Sequence, residues 1–277
     1  MRPIRALLIG LLVPLLGACQ LNLLTRDGTT GAPAPARLDR IIESGQLRVG
    51  LSGNQPPLNM KNKSDQIIGL EVDLLEALAE SMGLETFLVA MPFADLIPAL
   101  EKGEVDLVMS GMTITPERNA RVAFVGPYVI SGKSLLTKSK AIANVESVAV
   151  LDVPGRTYAA LRGSTSEKFV KTNLPQAKLV ATKDYDAAVQ MVIDDEVDAL
   201  VADYPICALS VLRHPMAGLS MLTTPFTVEP LGIALPADDP LFVNLVENYL
   251  TTLDGTGLLT QLKAKWFSDG SWVAELP

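Results

Sequence analysis

The sequence predicts an α/β protein of two lobes, each a mostly parallel sheet flanked by helices, with a ligand cleft between the lobes. Three observations predict it. Short apolar runs with β character alternate with amphipathic helical stretches along most of the chain. That alternation occurs twice and is followed by a segment too small to stand alone. The two series also share a weak internal repeat: residues 97–111 align without gaps onto 189–203, with Glu-Val-Asp identical in both.

In the first series, residues 47–51, 86–90 and 105–109 read as strands. Between them lie a helix over 70–82, with Leu74, Leu75, Leu78 and Met82 on one face, and a shorter one over 94–101, with Leu96, Ile97 and Leu100 together. Strand–helix–strand spacing of this kind implies a parallel sheet with helices packed on its faces. In the second series, strands are predicted over 156–161, 178–181 and 199–202, and helices over 165–173, 184–193 and 205–213. A last strand over 232–235 precedes helices over 241–253 and 258–266. The first lobe is therefore expected to be discontinuous, from 38–130 plus 227–277, with the second from 131–226. Crossing segments are expected near 128–132 and 225–231. The repeat places Gly111 and Asp203 at equivalent strand ends, and open α/β sheets collect ligands beyond the carboxyl ends of their strands.

Composition narrows the function classes. The 277 residues are 48% apolar and 19% charged, which suits a globular chain. The net charge of −8, without a lysine or arginine block, gives no footprint for nucleic acid. The single histidine, His214, removes most zinc and triad chemistry, so no catalytic residue, metal or cofactor is predicted. Of the two cysteines, Cys207 lies in an apolar helix start and reads as a buried structural thiol.

The other cysteine closes the N-terminal pattern. Arg2 and Arg5 precede an apolar run over 6–16, too short and too interrupted by Pro14 to span a membrane. Residues 1–18 read as a secretion signal. Leu16-Gly17-Ala18-Cys19 resembles the bacterial lipobox, which implies that Cys19 is lipidated and becomes the mature N-terminus. Gln20 is not the aspartate that commonly retains such proteins at the inner membrane. Residues 19–37 then read as the lipidated cysteine and a flexible tether rich in Thr, Gly, Ala and Pro. An exported chain with one remaining cysteine has no internal disulfide.

Three stretches carry candidate binding chemistry. In S-G-M-T-I-T-P-E-R, residues 110–118, Thr115 is a helix N-cap and Pro116 the first helical residue. Arg118 thus falls in the first turn, where a cation is unfavourable unless an anion sits beside it. In G-S-T-S-E, residues 163–167, Ser164 and Glu167 have capping-box spacing, which places Thr165 at a second helix start; a plain capping box also explains the pair. Asp203 ends a strand before Tyr204-Pro205 open a helix, and an N-cap is its alternative role.

These stretches, with L-R-V-G at 47–50, Pro56-Pro57, G-L-E-V-D-L at 69–74, L-I-P-A-L at 96–100, V-D-L-V-M-S-G-M-T-I-T-P-E-R at 105–118 and G-I-A-L-P at 232–236, resemble the polar amino-acid-binding proteins of bacterial transporters, solute-binding family 3. The similarity runs over 38–268. It implies that Arg118 grips a ligand α-carboxylate, assisted by Thr113 and the backbone near Gly111. It further implies that the loop of Ser164 and Thr165 closes over the same group and that Asp203 binds the α-ammonium. Gln55 stands where many relatives carry an aromatic residue and Ser52 where an acidic one is frequent, while Phe93 keeps the other expected aromatic. That departure disfavours an arginine- or lysine-type ligand and suits a polar, uncharged side chain, or a ligand that is not a standard amino acid.

The implied function is the extracytoplasmic substrate-binding component of an ABC uptake system, capturing an amino acid or amino-acid-like solute by lobe closure. Its implied partners are a permease with its ATPase, and a membrane reached through the N-terminal lipid. The chain is expected to be a monomer in the periplasm, at the outer membrane in a Gram-negative host. Two alternatives stand beside it. Exported cyclohexadienyl dehydratase is similar to these proteins, also at L-D-R-I-I-E-S-G (38–45) and S-E-K-F (166–169). Such an enzyme needs a general acid; Glu229 is a candidate by proximity alone, with a hinge carboxylate as its other role, and no second catalytic partner is evident. The third reading is a ligand sensor acting through a membrane partner, since no signalling segment is read up to Pro277.

Overall fold

The structure is a computed structural model that describes residues 36–276. The chain opens with α1 (Arg37–Ser44) and β1 (Gln46–Leu51), then a small three-stranded sheet of β2 (Asn54–Gln55), β3 (Asn59–Lys61) and β4 (Ile67–Ile68). It continues through α2 (Leu70–Met82), β5 (Glu85–Ala90), α3 (Leu96–Lys102), β6 (Leu107–Val108), α4 (Pro116–Asn119) and β7 (Ala123–Ser131). The second lobe holds β8 (Lys133–Thr137), α5 (Lys140–Ala143), β9 (Thr157–Leu161), α6 (Thr165–Asn173), β10 (Lys178–Thr182), α7 (Tyr185–Ile193), β11 (Ala199–Asp203), α8 (Tyr204–Arg213) and β12 (Ser220–Met221). The chain then returns with β13 (Glu229–Leu235), α9 (Pro240–Gly255) and α10 (Leu258–Phe267).

Each lobe is built on a five-stranded sheet, ordered β5-β1-β6-β13-β7 in the first and β10-β9-β11-β8-β12 in the second. Three neighbouring strands run parallel in each, the fourth is antiparallel, and the fifth is antiparallel to the fourth. The return strand β13 therefore occupies in the first sheet the place that β8 occupies in the second. Helix α2 shows how the pattern becomes structure: Leu70, Leu74, Leu75 and Leu78 are buried against the sheet, acidic Glu71 and Asp73 suit its electropositive first turn, and left-handed Gly83 ends it with an N–H to the Ala79 carbonyl.

The internal repeat has a physical cause. In the first lobe the Asp106 carboxylate accepts the backbone N–H of Arg48 at 2.9 Å, beside the first β1–β6 partners. In the second, Asp198 accepts the N–H of Thr157 at 2.7 Å, at the corresponding corner of β9 and β11. Val105 and Val197, which precede these aspartates, are both buried. Glu-Val-Asp thus recurs because each sheet needs a buried apolar anchor and an acceptor for an otherwise unpaired strand-end donor.

Several boundaries depart from the sequence reading. Arg37, assigned to the tether, begins α1 and donates to the carbonyls of Leu100 and Val105. The strand expected over 105–109 shortens to two residues, because Asp106 turns its side chain to the start of β1. Strands β7 and β8 were not expected; the segment read as a crossing, 128–132, is mostly strand, with only Gly132 between β7 and β8. A Cβ on Gly132 would stand 2.3 Å from the Thr227 carbonyl oxygen, so the outgoing and returning connections abut there. Residues 229–231 likewise already belong to β13, paired with 131–129. The signal peptide over 1–18, the lipobox and Cys19 lie outside the described residues. No helix among the described residues is long and apolar enough to cross a membrane.

Cys207 is fully buried, and that burial pushes its thiol up to about 12. In a Cys19→Ser chain it should stay unlabelled by a thiol reagent at neutral pH and react only as denaturant unfolds the protein. Asp106 is 1% exposed and ion-paired with Arg48 at 2.6 Å and Arg40 at 2.9 Å, whereas Asp198 is exposed. Asp106→Ala should therefore cost about 3–5 kcal/mol in urea unfolding, and Asp198→Ala only about 1 kcal/mol.

Candidate functional site

The site forms where β6 and β11 end and the loops after them face each other. Gln55, Phe93, Gly111, Thr113 and Arg118 from the first lobe meet Ser164, Thr165 and Asp203 from the second around one small, nearly filled space. Eight of the nine residues predicted to bind ligand thus line one space. The ninth, Ser52, stands behind Gln55, whose side-chain amide donates to the Ser52 hydroxyl at 2.9 Å and to the Ser110 carbonyl at 2.9 Å.

Arg118 is where the local sequence predicts. Thr115 caps its turn by accepting the Arg118 N–H at 3.2 Å, and Pro116 occupies the first helical position. The turn is only four residues long, so the guanidinium rather than a helix end carries the positive charge here. It donates to the carbonyl of Thr113 at 2.9 Å and, across the cleft, to that of Gly163 at 3.1 Å, and it lies 5.5 Å above the Phe93 ring. No carboxylate among the described residues forms a salt bridge with it. Burial pushes its pKa down, against the fields of Glu229 and Asp203. Arg118 is thus a half-buried cation held by neutral groups, with no ionic partner among the described residues.

The other predicted donors divide into free and committed groups. Thr165 donates its hydroxyl to Glu229 at 3.1 Å and lies 3.3 Å from the hydroxyl of Thr113 in the opposite lobe. The backbone N–H groups of Thr165 and Ser166, at the start of α6, have no partner among the described residues. Ser164 is committed: it donates to the Leu161 carbonyl at 2.6 Å and accepts the Glu167 N–H at 3.1 Å. Its role in the structure is the helix cap. The Gly111 N–H is committed too, to buried Glu71 at 2.7 Å, so Gly111 shapes the space without donating into it. Burial pushes the Glu71 carboxyl up while Tyr128, Gly111 and Asn59 pull it down as donors.

Asp203 holds a partner that sequence reading missed. Lys133 is its antiparallel neighbour across β8 and β11; its ammonium pairs with the Asp203 carboxylate and lies 3.4 Å from that of Glu229. Burial pushes Asp203 up and Lys133 pulls it down, with the net shift upward. For Glu229, burial also raises, but Lys133 and the hydroxyls of Thr227, Thr113 and Thr165 bring it below its ordinary value. Tyr185 is the second residue missed: it is buried, lines the space, and its hydroxyl has no partner among the described residues. The available signal for Lys133 was a lone lysine opening the apolar run S-L-L-T. Among the described residues, no group of three His, Cys, Asp or Glu side chains is placed to hold a metal.

The lobes are closed on one another. A Cβ on Gly163 would stand 3.0 Å from both Cα and Cβ of Ala94, and Lys168 pairs with Glu117 across the outer rim.

Relatives share this framework. Cyclohexadienyl dehydratase of Pseudomonas aeruginosa is 30% identical over 83% of this chain and 86% of its own. ABC transporter arginine-binding protein 1 of Escherichia coli is 26% identical over 80% of this chain and 90% of its own. Among solved structures, a putative ABC-transporter binding component from Wolinella succinogenes, complexed with lysine, superposes with a TM-score of 0.78 at 36% identity, over 83% of this chain and 99% of that one. An ancestral amino-acid-binding protein described as a precursor of cyclohexadienyl dehydratase gives 0.77 at 35% identity, over 84% of this chain and all of that one. The model of the bacterial extracellular solute-binding proteins, family 3, matches residues 47–269, and the chain belongs to that family.

Proposed function

We propose that this protein captures an amino acid or amino-acid-like solute between its lobes and delivers it to the permease and ATPase of an ABC uptake system. The observation that carries the reading is Arg118, a cation over an aromatic ring, held by one carbonyl from each lobe and lacking a carboxylate. A ligand carboxylate completes it, with the free N–H groups of Thr165 and Ser166 as further donors. Because Arg118, Thr113 and Thr165 come from both lobes, a ligand touching all three favours the closed state by its differential affinity. The α-ammonium is assigned to Asp203, with Glu229 close by. The chain is exported and, through Cys19, lipid-anchored.

A second reading is favoured by one observation. Asp203 lines the cleft and burial raises its carboxyl pKa, and a carboxyl so placed can act as a general acid. That is the chemistry a cyclohexadienyl-type dehydratase needs, and Asp203 serves it better than Glu229, whose carboxyl is shifted downward. Formation of an aromatic product from prephenate or arogenate by the purified protein decides between the readings; its absence, with amino-acid binding present, supports capture.

Arg118→Ala should lose about 2–5 kcal/mol of ligand affinity by calorimetry, because it removes a buried charge partner, while the ligand-free protein keeps its unfolding temperature. Unchanged affinity would overturn the carboxylate assignment. Asp203→Asn should weaken amino acids far more than their deaminated analogues; equal losses would remove the ammonium role. Cys19→Ser should abolish incorporation of labelled fatty acid and move the protein from the membrane to the soluble fraction.

A further inference from the structure

Four ionisable side chains meet around the enclosed space, and their sum bears on the ligand's own charge; the inference rests on the capture reading above. Arg118 stands on one side. Lys133, 2% exposed, stands on the other between Asp203 at the end of β11 and Glu229 at the start of β13. The next acid, Glu71, is beneath Gly111 and is taken up by three donors of the first lobe. Two cations and two carboxylates cancel.

A zwitterion preserves that balance. Its carboxylate answers Arg118, and its ammonium shares two carboxylates with the ammonium of Lys133. A basic amino acid brings a further cation into the neighbourhood of Lys133 with no further carboxylate to meet it, and like charges brought together away from water are strongly disfavoured. An acidic amino acid brings a second anion after Arg118 has been used. We propose that Lys133 is the charge-selecting residue of this pocket: it supplies from the protein the second cation that a basic amino acid would bring, and so restricts the ligand to an amino acid with an uncharged side chain. Rejection here is built from a repulsive element as much as from attraction. Tyr185, with its hydroxyl unpartnered among the described residues, and the Gln55 side-chain oxygen are polar groups left to meet that side chain.

The test is calorimetric titration of the twenty standard amino acids into the parent, Lys133→Met and Glu229→Gln, with ligand-free thermal unfolding confirming that each is folded. The tightest ligand of the parent should have an uncharged side chain. Lys133→Met leaves the pocket one negative charge in excess and should raise the affinity for lysine or arginine, relative to that ligand, by about tenfold or more. Glu229→Gln leaves one positive charge in excess and should shift the ratio towards glutamate or aspartate; if Lys133→Met does not fold, this variant carries the same test with the opposite sign. A parent that binds lysine or arginine as tightly as any uncharged amino acid overturns the proposal, as do ratios unmoved within about twofold in the folded variants. Binding with unmoved ratios overturns this inference alone; a parent that binds none of the twenty also overturns it, and if that parent forms an aromatic product from prephenate or arogenate the capture reading falls with it.

Discussion

The constraint on which the site depends is that a charge taken out of water must be answered by another charge or by hydrogen bonds. Lys133 is almost fully buried and is answered twice, by Asp203 and Glu229. Arg118 is answered only by carbonyl oxygens and the face of Phe93. The asymmetry separates the two cations. One belongs to a charge network at the junction between lobes, and the other is the cation to which the capture reading assigns the ligand carboxylate.

The folding topology places those charges. β13 crosses back from the second lobe to lie between β6 and β7, so its first residue, Glu229, sits at the junction and reaches Thr165, Thr227 and Lys133. β8 enters the second lobe after a single glycine and pairs antiparallel with β11, which sets Lys133 opposite Asp203. Neither contact follows from local sequence. Both follow from the matched strand order of the two sheets, in which the antiparallel fourth strand of each lobe is the one adjoining the crossing. The paired aspartates of the internal repeat, Asp106 and Asp198, hold the corners of the same two sheets and keep the strand ends in register.

What could be read in advance was local. Helices over 70–82 and 165–173 are legible to the residue, because their apolar spacing and their caps, Gly83 and Ser164, are all close in sequence. The turn of Arg118 is legible for the same reason, through Thr115 and Pro116. β7 and β8 were not, since Ala123–Ser131 and Lys133–Thr137 gain their pairing from strands that lie about a hundred and about seventy residues onward. At the site, residue types gave the members and the long-range pairing gave their states. Ser164 and Gly111 are in place, but their donors are spent on Leu161 and Glu71. Asp203 is in place, but a lysine from another strand already stands at its carboxylate.

Closure rests on an apolar cluster that joins Phe93 and Met112 of the first lobe to Leu161 and Tyr185 of the second, and on several polar contacts. The rim pair Glu117–Lys168 is exposed on both sides, so water and salt screen it. The inner polar contacts are the Arg118–Gly163 guanidinium-to-carbonyl bond, the Thr113–Thr165 hydroxyl pair at 3.3 Å, the Thr165–Glu229 bond at 3.1 Å and the Lys133–Glu229 pair at 3.4 Å, and each trades against hydration in the open state. Gly163 also approaches Ala94 closely enough that a Cβ on it would stand 3.0 Å away. The charge left without an ionic partner is Arg118, which faces the donors of the α6 start. On the capture reading, a ligand carboxylate at that point touches both lobes and so favours the closed state by its differential affinity.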